Sequence, residues 1–358
     1  MGRARRLSST VRALVLVAAG AALLGGCRIG FGSHTPVTEQ GKDIYSLYNL
    51  LFVVAAVIFL LVEGAIVFAA LRYRRRDDRL PPQFHGNNLL EVAWTLIPLL
   101  IVATLFGLTW GVLNKVDARA NDPAVTVNLQ GFQWQWSFTY QGETVQVEKG
   151  QPAQDLTIKG TIAKPAEIYL PVGEPITFNE QSRDVIHSFY IPQFLFKKDV
   201  FPGHTNSFSL TITKPGRYHG QCAQYCGLAH GQMHFYINAV SPAAYQAWLV
   251  KAKKQAASGC PADTTPGKIA AKNVAFDKDC LAAKAGKPWT LTFDNQEAVL
   301  HNVAIFQGSN AEGKRVFGEP PFTGPKVTRY QVPALKAGTY FFHCDVHPAA
   351  MQGKLVVK

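Results

Sequence analysis

Two absences and one scarcity narrow the chemistry open to this 358-residue chain. There is no C-x-x-C-H segment, so no haem is attached through a pair of cysteine thioethers. The 36 Lys and Arg outnumber the 24 Asp and Glu, giving a formal net charge of +12, yet beyond residue 113 they are interspersed with acids and form no block that would track a phosphate backbone. Nucleic acid is excluded as a partner on that ground. Cysteine is scarce, six in all, so each one needs its own account.

Long apolar runs are present, and all three sit in the first third. The run Leu14 to Leu24 follows Arg3, Arg5, Arg6 and Arg12 and ends in L-L-G-G-C, the layout of an export signal with a charged start, a short apolar middle and small residues at the cleavage point. Leu24-Gly25-Gly26-Cys27 resembles a bacterial lipoprotein box, which makes residues 1–26 a removable signal and Cys27 a lipidated anchor; a plain signal with an incidental cysteine is the alternative. The runs 47–71 and 89–113 are 25 residues each, and a bilayer core needs roughly 20 helical residues. They predict a two-helix transmembrane hairpin within 45–114. The short connection carries Arg72, Arg74, Arg75, Arg76 and Arg79, which places it in the cytoplasm and everything after about Asn114 on the outer face of a bacterial cell membrane. Residues 1–113 hold 11 Lys and Arg against 6 Asp and Glu, leaving 25 against 18 outside, a moderately basic solvated surface.

From Val125 the pattern changes to short alternating segments (VTVNLQ, VQVEKG, EPITFNE, HTNSFSLTIT) punctuated by Gly, Pro and Asn, as small antiparallel strands require. The strand pattern stops near residue 240, at a segment suited to a short helix running into a polar linker (243–259), and resumes over 260–358. The two β regions, 123–242 and 260–358, end alike, in GRYHGQCAQYCGLAHGQM and GTYFFHCDVHPAAM, and each has one upstream histidine, His187 or His301. This internal repeat predicts two copies of one metal-binding sandwich that resembles the cupredoxins, so the fold class is a membrane-anchored α plus all-β chain.

Cys222, Cys226, His230 and Met233 fall in one twelve-residue stretch. Soft thiolates and a thioether with imidazole favour copper over hard cations. Two cysteines on one irregular loop can bridge two copper ions and share one electron between them. A disulfide, or zinc on the C-x3-C pair, is the structural alternative.

The two helices, GFQWQWSFTY, VIHSF and C-x3-C-x3-H-x2-M together resemble subunit II of cytochrome c oxidase over residues 45–240. The resemblance implies a binuclear copper A centre with bridging Cys222 and Cys226, terminal His187 and His230, weakly bound Met233 and the backbone carbonyl of Gln224. It further implies haem-bearing subunit I and subunit III as partners, and cytochrome c or another external donor. Trp134 matches the family tryptophan at which electrons enter, though by spacing alone it is equally a core aromatic. Glu91 matches a glutamate at the mouth of a proton-uptake channel, and Glu63, deeper in the first span, is expected to face protein or be protonated. The family carries glutamate where this chain has Gln224, which puts an interfacial magnesium or manganese ion in question.

In the tail, His301, Cys344, His347 and Met351 supply two imidazoles, one thiolate and a thioether, the set of a mononuclear blue-copper site; a sandwich that has lost its metal is the bland alternative. Cys260 and Cys280 are left over and are expected to pair as a disulfide. The reading that follows is an oxidase subunit with a tethered blue-copper relay, against two others: the copper subunit of a related nitric-oxide reductase, or a membrane-anchored copper-delivery protein.

Overall fold

The computed structural model describes residues 34–75, 86–146, 152–257, 267–348 and 350–358. The export signal with Cys27, most of the loop between the apolar runs, and Cys260 lie outside the described residues. The chain divides into two units, one built on the apolar helices and the other on the β-sheets beyond Trp110.

The first unit contains α1 (Glu39–Arg72) and α2 (Asn88–Asp117), of 34 and 30 residues, with mean hydropathies of 2.9 and 2.2 over their most apolar windows. Both outrun the expected spans, because hydropathy marks the apolar slab while capping sets where a helix starts. Thr38 Oγ1 accepts from Gly41 N at 2.9 Å ahead of α1, and Asn87 Oδ1 accepts from Leu89 N and Leu90 N at 3.1 and 3.2 Å ahead of α2. Most of the large apolar side chains along both helices are exposed within this chain.

The second unit opens with β1 (Val125–Phe132), β2 (Gln135–Val145), β3 (Gln154–Lys159), β4 (Ala166–Pro171), β5 (Pro175–Ser182), β6 (His187–Ile191), β7 (Phe196–Val200), β8 (Asn206–Thr211), β9 (Gly216–Cys222) and β10 (His234–Val240). They form two five-stranded sheets, β3-β2-β1-β5-β8 and β4-β10-β9-β6-β7. Alternation along β1 and β5 sends Val127, Leu129, Ile176 and Phe178 inward. There they meet Phe138, Phe189, Phe208 and Phe235, whose rings interlock with centroids 5.1–5.4 Å apart. Truncating one such fully buried ring to alanine costs about 3–5 kcal/mol. The short helix expected after residue 240 is α3 (Pro242–Ala257). Its Tyr245 and Leu249 join the first core and its Trp248 stacks on Tyr169 at 4.9 Å.

The tail repeats the plan with β11 (Lys268–Lys272), β12 (Ala275–Phe276), β13 (Cys280–Ala283), β14 (Trp289–Asn295), β15 (Leu300–His301), β16 (Ala304–Gln307), β17 (Arg315–Gly318), β18 (Phe322–Thr323), β19 (Lys326–Val332), β20 (Gly338–His343) and β21 (Gln352–Val357). Parallel pairs β1–β5 and β4–β10 have counterparts in β11–β14 and β13–β21, and the β9–β10 hairpin has one in β20–β21. The shared Gly-x-Tyr has a structural cause. Tyr218 donates to Lys214 O at 2.8 Å and Tyr340 to Lys336 O at 3.0 Å, each hydroxyl tying its strand to the turn before it. In both hairpins a glycine lies under a phenylalanine: a Cβ on Gly220 would come within 2.1 Å of the Phe235 ring, and one on Gly353 within 2.4 Å of Phe342.

Candidate metal centres

Cys222 ends β9, and its N–H donates to Met233 O at 3.0 Å, closing the neck of the loop that carries the expected ligands. Inside that neck the sulfurs of Cys222 and Cys226 are 3.8 Å apart. His187 Nδ1 lies 3.9 Å from the Cys222 sulfur, and His230 Nδ1 lies 3.5 Å from that of Cys226. Met233 Sδ is 3.9 Å from Cys226 Sγ, and the Gln224 carbonyl is 3.2 Å from Cys222 Sγ. The donors form a string with an imidazole at either end. His187, Cys222 and Cys226 place ligand atoms within 4.8 Å of one another, a set that His230 does not join.

The tip of the β1–β2 hairpin holds this loop from the side. Gln133 Nε2 and Trp134 Nε1 both donate to Cys226 O, at 2.8 and 3.0 Å, and Trp136 Nε1 donates to Met233 O at 3.4 Å. Close packing here needs small residues: a Cβ on Gly227, at φ +116°, would stand 3.0 Å from the Trp134 ring.

Behind His187 stands Asp184. Its Oδ1 accepts from His187 Nε2 at 2.8 Å and from Val185 N at 2.7 Å, while its Oδ2 accepts from Gln133 N at 2.8 Å. That bond puts the imidazole proton on Nε2 and turns the Nδ1 lone pair toward the sulfurs. Burial disfavours a charged His187, but the Asp184 hydrogen bond and the neighbouring Cys222 sulfur outweigh it and raise the pKa. The two thiols titrate as one unit. The hydrogen bond from Cys226 makes Cys222 the readier to lose its proton, and that same bond together with burial holds Cys226 up. A bound cation would draw off the second proton, since a metal takes thiolate.

The tail site is more compact. His301 Nδ1 and His347 Nδ1 are 3.2 Å apart and lie 3.7 and 3.9 Å from Cys344 Sγ, so all three donor atoms converge on one point. Cys344 N donates to Met351 O at 2.9 Å, the same neck closure as in the first loop, and Met351 is fully buried. Glu297 plays the part of Asp184: Oε1 accepts from His301 Nε2 at 2.8 Å and from Val274 N at 2.9 Å, and Oε2 from Asn273 N at 3.0 Å. Burial lowers the pKa of His301 and His347 and raises that of Cys344, so it disfavours charge on all three donors.

The fold thus gathers the expected thiols and imidazoles around two points, with Trp134 against the first, while Met351 is placed by its backbone bond to Cys344 and by its burial. Glu63 and Glu91 are exposed on the helices of the first unit. Cys280 is disulfide-bonded, while its expected partner, Cys260, is outside the described residues. Sequence reasoning missed Asp184 and Glu297, although a signal existed, an acid three or four residues before each upstream histidine, His187 (D-V-I-H) and His301 (E-A-V-L-H).

The chain matches three family models: cytochrome c oxidase subunit II, transmembrane domain, over residues 29–108; cytochrome c oxidase subunit II, periplasmic domain, over 125–240; and a cupredoxin-like domain over 242–357. A probable cytochrome c oxidase subunit 2 of Streptomyces avermitilis is 35% identical, the alignment covering 64% of this chain and 81% of that one. Among solved structures, the periplasmic domain of subunit II of cytochrome oxidase of Bradyrhizobium japonicum is 28% identical with a TM-score of 0.31, covering 37% of this chain and 96% of that chain. The blue copper protein auracyanin A of Chloroflexus aurantiacus is 29% identical with a TM-score of 0.24, covering 25% of this chain and 96% of that chain. Two apolar helices, two cupredoxin sandwiches and two copper-suited donor sets all agree with the first two of these matches, and the chain belongs to the cytochrome c oxidase subunit II family, as a membrane-anchored, copper-binding member of an oxidoreductase complex that carries a C-terminal cupredoxin domain.

Proposed function

We propose that the chain holds a binuclear copper A centre on His187, Cys222, Cys226 and His230, with Met233 and the Gln224 carbonyl as weaker ligands, and a mononuclear blue copper on His301, Cys344, His347 and Met351. One contrast carries this reading. The first donors are strung out with the two sulfurs in the middle and His230 outside the tight set, which suits two ions sharing bridging thiolates, whereas the tail donors converge, which suits one. Copper supplies one-electron chemistry when bound. The protein's part is to hold the donors in place: Asp184 and Glu297 fix the imidazole protons, the neck hydrogen bonds hold the loops, and the buried sites exclude water.

In this reading the two β domains lie on the outer face of a bacterial cell membrane, electrons arrive from cytochrome c or another external donor, Trp134 conducts them to the first centre, and subunit I receives them at its haem for reduction of O2. Tyr225 and Leu228, 75% and 94% exposed at the tip of the first metal loop, suit contact with that subunit. Gln224 is exposed beside them and offers an amide where a hard dication prefers carboxylate, so an interfacial magnesium or manganese is not held by this side chain. Glu91 in the first turn of α2 suits the mouth of a proton path, and Glu63, exposed on α1 within this chain, suits a face covered by another subunit.

The test is copper stoichiometry with optical and EPR spectra on the intact, detergent-solubilised chain. Three coppers, a multi-line signal from an electron shared by two nuclei and a blue thiolate band are expected. Absence of the shared-electron signal would overturn the binuclear assignment, and two coppers without a blue band would overturn the tail site.

A further inference from the structure

Side chains alternate across a strand, so β2 with one solvent face would bury every second residue. Trp136, Phe138 and Tyr140 do fill the core, but Gln135 and Ser137, which face the other way, are only 3% and 4% exposed. Phe132, opposite Gln135 across the hairpin, is fully buried and belongs to neither hydrophobic core. Lys159, paired with Ser137, and Arg183 lie over the Phe132 ring at 5.4 and 4.8 Å. The outer face of the hairpin is therefore covered.

The tail lies against this face. Gln135 Nε2 donates to Ala350 O at 2.9 Å, the Asp279 carboxylate is within electrostatic range of the Lys159 ammonium, and Val274 packs against both cores. These contacts fall at chemically informative places. Ala350 is bonded directly to Met351 in the tail's ligand loop. Gln135 lies between Trp134 and Trp136, whose indoles are hydrogen-bonded to the carbonyls of Cys226 and Met233.

We propose that the tail domain docks through its copper loop on the outer face of the β1–β2 hairpin, with Gln135 as the positioning residue that joins the two ligand loops, so that an external one-electron donor delivers to the tail and the electron reaches the Cys222–Cys226 pair by way of Ala350, Gln135 and Trp134. The proposal rests on the reading of the tail as a redox copper site. The step moves one electron, oxidising the tail centre by one and reducing the first centre by one, with no bond made or broken and no proton required. From Met351 to Cys226 the connection is covalent except for two hydrogen bonds, Gln135 to Ala350 and Trp134 to Cys226, at 2.9 and 3.0 Å.

The experiment uses the copper-loaded oxidase complex with the full chain, either unchanged or carrying Gln135→Ala with Asp279→Lys. Hydroxyl-radical footprinting reads the accessibility of Phe132, and time-resolved optical spectroscopy reads electron equilibration between the blue and binuclear centres. The unchanged complex should protect Phe132 as well as the core residue Phe138. In the double variant, loss of the hydrogen bond and the new like-charge contact should raise Phe132 modification and slow equilibration by about tenfold, with the EPR spectrum of each centre unaltered. Phe132 modification in the unchanged complex as ready as in the double variant, or an equilibration rate unmoved in the double variant, would overturn docking while both copper assignments stand. A protected Phe132 beside a tail with no blue signal would uphold the docked face and overturn the electron route together with the tail assignment.

Discussion

Asp184→Asn is the sharpest test of how the protein prepares its metal sites. Both carboxylate oxygens of Asp184 accept N–H groups: Oδ1 takes His187 Nε2 and Val185 N, and Oδ2 takes Gln133 N, at 2.7–2.8 Å. An amide has one acceptor oxygen, so in either orientation its NH2 group is driven against a donor. A hydrogen bond to a charged partner is worth about 1.5–3 kcal/mol net. The measured cost of removing the partner behind a ligand histidine, about 10–100-fold in metal affinity, converts at about 1.4 kcal/mol per tenfold to a similar range. Glu297 has the same double duty in the tail, holding His301 Nε2 and the backbone N–H groups of Asn273 and Val274. Competitive copper titration of the intact chain, followed separately through the shared-electron signal and the blue band, should show Asp184→Asn weakening only the first site, and Glu297→Gln only the tail site, each by about 10–100-fold. Equal losses at both sites in either variant, or no loss at the matching site, would refute the assignment of these carboxylates.

Glu180 is fully buried with neither carboxylate oxygen hydrogen-bonded, and burial pushes its pKa up to about 9. The folded state thus keeps a proton that the unfolded chain releases near 4.5. Stability should fall as pH rises between those values, by about 1.4 kcal/mol per pH unit and about 3 kcal/mol at pH 7; melting curves should show Glu180→Gln with a shallower pH dependence and higher stability at pH 8. Gly131→Ala places a methyl 3.1 Å from the His187 ring, which should cost about 1–3 kcal/mol of overpacking and shift the EPR signal of the first centre while leaving the blue band alone. Cys280→Ser removes a disulfide from the tail and should lower its stability by about 2–4 kcal/mol, seen as earlier thermal loss of the blue band with the first centre unchanged.

Much of this architecture is legible in the sequence because it depends on local pattern. The apolar runs mark the helices, and period-two alternation marks the strands. The paired endings, Gly-x-Tyr with Cys, His and Met, expose the repeat, since each copy needs the same tyrosine tie and the same closed loop. The candidate donors were readable for the same reason: thiolate, thioether and imidazole crowded into one loop have few other uses. The start of α1 was not readable, because Thr38 caps it well ahead of the apolar run. Nor was the packing of α3, a helix that the sequence suggests but whose Tyr245, Trp248 and Leu249 meet the first sheet pair only in the folded chain.

By itself, then, the sequence determined the order of elements, the duplication and the donor chemistry, all of which are carried by neighbours along the chain. Tertiary structure alone decided which donors converge and which stay strung out, which acids stand behind the histidines, and that Gln135 reaches Ala350 across 215 positions. Those outcomes come from strand pairing and from the burial of a face against a distant domain, interactions whose partners are adjacent in space and remote in sequence.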